Sequence, residues 1–171
     1  MSGSRDIVIT GVGVASPIGI GAAPFWEALV SGTSGIREVD LFDASSLKVR
    51  FGGQIADFDP KLYVRPRKSL KVMSREIQLG FAAADLAMTD AGIGAATLEP
   101  ERFGVVFGND MIYADLEDLE STYRRASRDG RFDFQAWSDA IQEEVHPLWL
   151  LKHLPKDRKS TRLNSSHSSV S

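Results

Sequence analysis

Ile7-Val8-Ile9-Thr10-Gly11-Val12-Gly13-Val14-Ala15-Ser16-Pro17-Ile18-Gly19 is the stretch from which the fold is read. Ile7 to Thr10 is short and β-branched and is then broken by Gly11 and Gly13, which predicts a buried strand. Val12 and Val14 carry the apolar run on toward Ser16-Pro17. A strand followed by such a turn nearly spells a dinucleotide fingerprint. The third glycine position, however, holds Ser16, and no second strand ends in an acid about twenty residues on. Asp40 and Asp43 fall in loop-like sequence. The glycines are read instead as relieving crowding at a tight strand-to-helix turn.

Outward from that turn, Pro24 suits the first turn of a helix, where its missing N–H leaves nothing unpaired. Phe25, Trp26, Leu29 and Val30 give this helix an apolar side, and Gly32 and Gly35 end it. Phe51 to Ile55 suggests a short strand. The clearest helix is predicted from about Ser69 to Ala91, because Leu70, Met73, Ile77, Phe81, Ala84 and Met88 recur at spacings of three and four. Val72, Leu79 and Leu86 lie off that stripe, and Gly80, Ala82, Ala83 and Ala87 are small. Such a helix is expected to be buried and closely packed, with Gly92 as its stop. Arg102 to Gly108 reads as a second buried strand. Asp115 to Arg128 is amphipathic, Asp129-Gly130 turns the chain, and Trp137, Ile141 and Val145 suggest another short helix. The fold class is α/β.

Composition narrows the function. Of the 171 residues, 43% are hydrophobic and 25% charged, an ordinary globular balance. No apolar run approaches the roughly 20 residues that span a bilayer, and Met1 to Asp6 lacks a signal-peptide pattern. The expectation is a cytoplasmic protein without membrane contact. The net charge of -3 does not suggest nucleic-acid binding. There is no cysteine, so disulfides, thiolate metal sites and thiol nucleophiles are excluded within these residues. Residues 156–171 differ in kind: Lys156, Arg158, Lys159 and Arg162 outweigh Asp157, and serine crowds the stretch after them. A segment this poor in apolar groups cannot offset its chain entropy. It is read as a disordered, non-native tail, and KSTRLNSSHSSVS (Lys159 to Ser171) resembles translated adaptor read-through at a broken reading frame.

Three groups of residues are candidates for function. Arg65, Arg67, Lys68, Lys71 and Arg75 cluster where the long helix is expected to begin. Cations there oppose the helix dipole, so the cluster is either a solvated face or a surface for an acidic partner or phosphate. Gly108-Asn109-Asp110-Met111 follows a predicted strand, and such loops line ligand pockets in α/β folds as well as forming plain connections. Asp110 equally suits a helix N-cap. His146 and His153 are seven apart, but Pro147 intervenes and no third ligand stands near, so no metal site is expected. No Ser-His-Asp arrangement is legible.

In order and spacing these segments resemble the β-ketoacyl-acyl-carrier-protein synthase family of the thiolase superfamily. The residues that carry the resemblance are IVITGVGVASPIG (Ile7 to Gly19), FWEALVSGTSGI (Phe25 to Ile36), LFD (Leu41 to Asp43), FGGQIADFD (Phe51 to Asp59), AAADLAMTDAGI (Ala82 to Ile93) and RFGVVFGN (Arg102 to Asn109). The resemblance implies the N-terminal half, incomplete, of a thiolase-like α-β-α-β-α layered fold. On this reading 1–155 is the synthase N-terminal domain, truncated before the nucleophile, of a parent that is a homodimer.

The reaction implied is an acyl transfer: decarboxylative Claisen condensation of an acyl thioester with malonyl-acyl carrier protein, in fatty-acid or polyketide synthesis, without cofactor. A cysteine, two histidines and a lysine do this chemistry, and all lie later in the family's sequence, so no catalytic residue is assigned here and the chain itself is expected to be inactive. His146 and His153 are not the catalytic pair. By resemblance, Arg67, Lys68 and Lys71 match positions that dock the acidic acyl carrier protein, while Met111 matches an acyl-pocket position flanked by Gly108 and Asn109. A chain-length-factor-like partner subunit, which shares the fold without the cysteine, is the alternative. Val105 to Phe107 and Leu148 to Leu151 are expected to seek partners outside these residues.

Overall fold

The computed structural model describes residues 6–94, 98–108 and 116–153. Their elements, in chain order, are β1 (Ala15–Ser16), β2 (Gly19–Ile20), α1 (Ala22–Val30), β3 (Ile36–Glu38), β4 (Phe51–Gly53), α2 (Arg75–Asp90), α3 (Leu116–Ala126), β5 (Ser127–Arg128), β6 (Arg131–Phe132), α4 (Phe134–Glu144) and α5 (Trp149–His153), with 3₁₀ helices at Pro60–Leu62, Arg67–Val72 and Pro100–Arg102. The chain is α/β, and among the described residues each sheet is one antiparallel pair of strands. It divides into two compact units, the first from residues 6–65 and the described part of 78–106, the second from 66–77 and the described residues from 107 to 153.

In the first unit the glycine-rich stretch lies against α2. A Cβ on Gly13 would strike the Ala83 carbonyl oxygen and stand 2.5 Å from the Ala87 nitrogen, and one on Gly11 would meet Ala87 and lie 2.6 Å from the Ala91 nitrogen. The glycines are there because backbone touches backbone, which also explains the run of alanines facing them. The Val12 N–H donates to Asp90 Oδ2 at 2.9 Å, tying the stretch to the end of the helix. Ala82 is fully buried. Pro17-Ile18 turns β1 into β2, and the Ser16 hydroxyl accepts from the Ile18 N–H and donates to the Gly19 carbonyl. Both α1 and α2 close on a glycine in the left-handed region, Gly32 at φ +69° and Gly92 at φ +65°. Thr33 N–H to Ala28 O and Ile93 N–H to Met88 O complete the usual glycine-terminated helix end.

Several expectations change. Ile7 to Thr10 and Val105 to Phe107 join no ladder among the described residues, and Ile7, Ile9 and Val106 are 88% or more exposed. β-branched residues favour extended backbone, but a strand is made only when a neighbour accepts its hydrogen bonds. The expected strand from Phe51 is real for three residues, Glu38, Arg37 and Ile36 pairing with Phe51, Gly52 and Gly53. Helix α1 turns Ala22, Phe25 and Ala28 inward, whereas Trp26, Leu29 and Val30 stay exposed. The predicted stripe is buried at Met73 and Ile77 but not at Ala84, which is exposed.

The long helix also begins later than its periodicity suggests. Arg67–Val72 is a separate 3₁₀ helix, Met73 is extended, and α2 starts at Arg75. Ser74 explains the break, because its hydroxyl accepts from the Ile77 N–H at 3.4 Å and caps the helix there.

The second unit is organised by α3 and α4, which pack together across a hairpin. Asp129 and Gly130, at φ 51° and 71°, form its two-residue loop. Asp133 caps α4, its carboxylate accepting from the Gln135 and Ala136 N–H groups. Thr122, Ala126 and Ala140 are fully buried between the helices. Tyr123, Phe132, Phe134 and Trp137 stack beside them with ring centroids 5.0 to 6.0 Å apart. Arg125 donates to Glu143 at 2.5 Å and Glu144 at 3.1 Å, joining the helices. The tail assigned to 156–171 lies outside the described residues.

Candidate functional site

The five clustered cations separate on folding. Arg65 belongs to the first unit, where its guanidinium donates to the carbonyls of Lys61 and Val64. Arg67, Lys68 and Lys71 share the 3₁₀ helix of the second unit, and all three are exposed. A 3₁₀ helix has three residues per turn, so side chains three apart eclipse. Lys68 and Lys71 therefore form one outward ridge with Arg67 beside it. Ser69, Leu70 and Val72 are half-buried on the remaining sides. Among the described residues, none of the three cations is in a salt bridge. The helix follows Pro66, whose extended backbone stops any α-helix from running into it. Among the described residues the arrangement is a compact positive ridge without a salt-bridge partner on a short turn, suited to an anionic surface.

Behind that turn lies α5. Trp149, Lys152 and His153 are its half-buried residues, whereas Leu150 and Leu151 are exposed. His153 Nδ1 lies 2.9 Å from the Trp149 carbonyl, and its ring packs 4.8 Å from the Trp149 ring. His146 Nδ1 accepts from the Leu148 N–H. Both histidines thus have local structural work, and among the described residues no three His, Asp or Glu side chains come together as metal ligands.

Of the predicted acyl-pocket residues, Gly108 is exposed, and a Cβ built on it would meet nothing within 4 Å. Asn109 and Met111 lie outside the described residues. Sequence reasoning missed a cleft of about 570 Å³ in the first unit, lined by Ser16–Ile20, Ser34, Gly35, Arg37 and Gln54–Asp57. It forms where the β1–β2 turn settles on Gly35 and Gly53, both within 3.1 Å of Pro17 if given a Cβ. Nothing periodic in the sequence announces such a meeting of loops. Arg37 at its rim pairs loosely with Asp40 at 3.8 Å.

Charge perturbations lie away from the ridge. Hydrogen bonds from the Ser121 hydroxyl and from Arg125 hold the Glu144 carboxyl below the usual range, and Arg125 is correspondingly pushed up by Glu143 and Glu144. The Asp43 carboxyl is lowered by the Ser45 hydroxyl and N–H. No helix of the described residues is long and apolar enough to cross a membrane.

Residues 4–141 match the family described as beta-ketoacyl synthase, N-terminal domain. The chain is 36% identical over 126 residues to the tetracenomycin polyketide synthase ketoacyl synthase alpha subunit of Streptomyces glaucescens, a match covering 74% of this chain and 29% of that one. It is 37% identical over 112 residues to 3-oxoacyl-[acyl-carrier-protein] synthase 2 of Vibrio harveyi, covering 66% of this chain and 27% of that one. The solved structure of the ishigamide ketosynthase/chain length factor superposes with a TM-score of 0.61 at 24% identity, over 86% of this chain and 33% of that chain, a likeness of fold. The chain therefore spans a third or less of the length of each of these relatives. With the glycine-to-alanine packing of residues 11–13 on α2 and the family match running from residue 4 to residue 141, the chain belongs to the β-ketoacyl synthase family, through its N-terminal domain.

Proposed function

We propose that this chain is the leading portion of a condensing enzyme that joins an acyl thioester to malonyl-acyl carrier protein by decarboxylative Claisen condensation, in polyketide or fatty-acid synthesis. The family match over residues 4–141 is the observation that carries this reading. The nucleophile is a thiol, because a thiolate takes the acyl group and later releases it to the carbanion formed when malonyl loses carbon dioxide. No residue of this chain can fill that role, since it holds no cysteine. On this reading the thiol and its proton-handling partners are supplied from outside residues 1–171, and these residues alone are expected to be inactive.

Its own contribution is recognition and scaffold. Arg67, Lys68 and Lys71 dock the acidic carrier protein through charge complementarity that sets on-rate and orientation more than raw affinity. Gly108, Asn109 and Met111 border the acyl pocket. In the intact parent, a cytoplasmic homodimer, Ile7 to Thr10 and Val105 to Phe107 become strands of an α-β-α-β-α layered core. The alternative is a chain-length-factor-like partner subunit, non-catalytic and of the same fold; the ketosynthase/chain length factor structure, a likeness of fold, is compatible with either. The test is to express the parent reading frame extended past the codon for Pro155 and supply it with an acyl primer and malonyl-acyl carrier protein. A β-ketoacyl product supports the enzyme. Cysteine replaced by glutamine at the nucleophile position, with no product, supports the partner subunit.

A further inference from the structure

We infer that Asp118 and Lys152 form a positioning pair that sets the orientation of the cationic ridge Arg67, Lys68 and Lys71; the inference rests on the carrier-docking reading of that ridge. Lys152 Nζ lies 3.2 Å from Asp118 Oδ2, and each side chain is only 26% exposed. The other salt bridges among the described residues each have at least one partner 40% or more exposed. This pair is thus the most sheltered of them, and solvent screens it least.

Its place in the second unit gives it leverage. Helix α5 has five residues, too few to hold helical form without tertiary support. It packs along the 3₁₀ helix 67–72, whose half-buried sides are Ser69, Leu70 and Val72 and whose outer ridge is Lys68 and Lys71. Asp118 stands in the first turn of α3, a helix already fixed by its packing on α4 and by the Arg125 clamp. The pair is therefore the ionic tie from the rigid helical pair to α5, and through α5 to the turn that presents the cations. Severing it leaves the ridge intact in composition and loose in direction.

Charge and geometry predict opposite signs, which makes the idea testable. If Asp118 acts only as a nearby negative charge, Asp118→Asn removes repulsion toward an acidic carrier and frees Lys152, so binding tightens. If Asp118 positions the ridge, the same change weakens binding. The measurement is fluorescence anisotropy of a fluorescein-labelled acyl carrier protein from a bacterial fatty-acid synthase. It is titrated with the full chain fused behind maltose-binding protein. We expect Asp118→Asn to weaken binding by roughly 3- to 10-fold, Asp118→Glu to keep most of it, and Asp118→Asn with Lys152→Gln to fall no further than Lys152→Gln alone. Tighter or unchanged binding by Asp118→Asn, or additive losses in the double variant, overturns the positioning role. Lys68→Glu with Lys71→Glu separates the two claims. If that variant binds as well as the parent, the docking reading itself fails. If it loses binding while Asp118→Asn does not, only the positioning role fails. Hydrogen exchange across α3 and α4 in the same proteins must stay unchanged, since loss of protection there would make Asp118 a general stability residue and overturn the inference.

Discussion

Gly13 has no room for a methyl group: a Cβ there overlaps the Ala83 carbonyl, and the atoms it meets are backbone, which cannot rotate away. Gly13→Ala must push the stretch off α2, at about 1–3 kcal/mol for overpacking. The expected readout is a fall of roughly 5- to 150-fold in hydrogen-exchange protection of peptides from α2; unchanged protection would show that the contact is not tight. At Glu144 the carboxyl is held low first by the Ser121 hydroxyl and then by Arg125. A lowered folded pKa means that the stabilisation is complete above the ordinary glutamate value, about 4.3. It is lost as pH falls through the lowered one. Exchange across α3 and α4, corrected for its intrinsic pH dependence, should therefore loosen only below the ordinary glutamate range, and Glu144→Gln should remove that acid step. Both residues show the limit of reading a sequence. Gly13 was read as crowded at a tight strand-to-helix turn, whereas its crowding comes from the Ala83 and Ala87 backbone of α2, and nothing near Glu144 says that Ser121 stands opposite.

At the scale of elements, the reading succeeded where local chemistry decides and failed where a partner does. Asp129-Gly130 and Gly92 act on their own neighbours, so their roles were visible, whereas the cap at Asp133 was not read from the sequence. Gly92 takes φ +65° with open space around it, and Gly92→Ala should loosen the end of α2 by about 1 kcal/mol. The measurement is exchange at Ala91 to Ile93, and no change there would contradict the helix-end role. The start of α2 was missed because apolar periodicity runs straight through the 3₁₀ helix, while the break is set by Pro66 before it and Ser74 after it. That correction also removes a puzzle. Arg67, Lys68 and Lys71 do not crowd an α-helix N-terminus but stand on their own turn, free to face outward. Lys68→Glu with Lys71→Glu should weaken carrier binding by at least tenfold at low salt, with the parent's binding itself weakening as salt rises; salt-independent binding would contradict a charge-led surface.

For the whole molecule, the family was legible and the sheet was not, for one physical reason. Residue types along Ile7 to Thr10 and Val105 to Phe107 announce strands, but strands are completed by neighbours, and among the described residues these have none. Ile7, Ile9 and Val106 stand almost wholly exposed. Unpaired edges with apolar faces favour association, so residues 1–155 expressed alone should be largely insoluble, and a soluble monomer with a sharp cooperative melt would contradict this. We propose that the intact parent of this chain is a condensing enzyme whose nucleophile lies outside residues 1–171. Sequencing the source DNA through the codons for Lys152 to Lys159 and onward tests that most directly. The frame is expected to continue past Pro155 into family-like sequence with a cysteine at the nucleophile position. A frame that instead encodes the serine-rich residues to Ser171 and then stops would contradict it, and would leave the chain with binding roles alone.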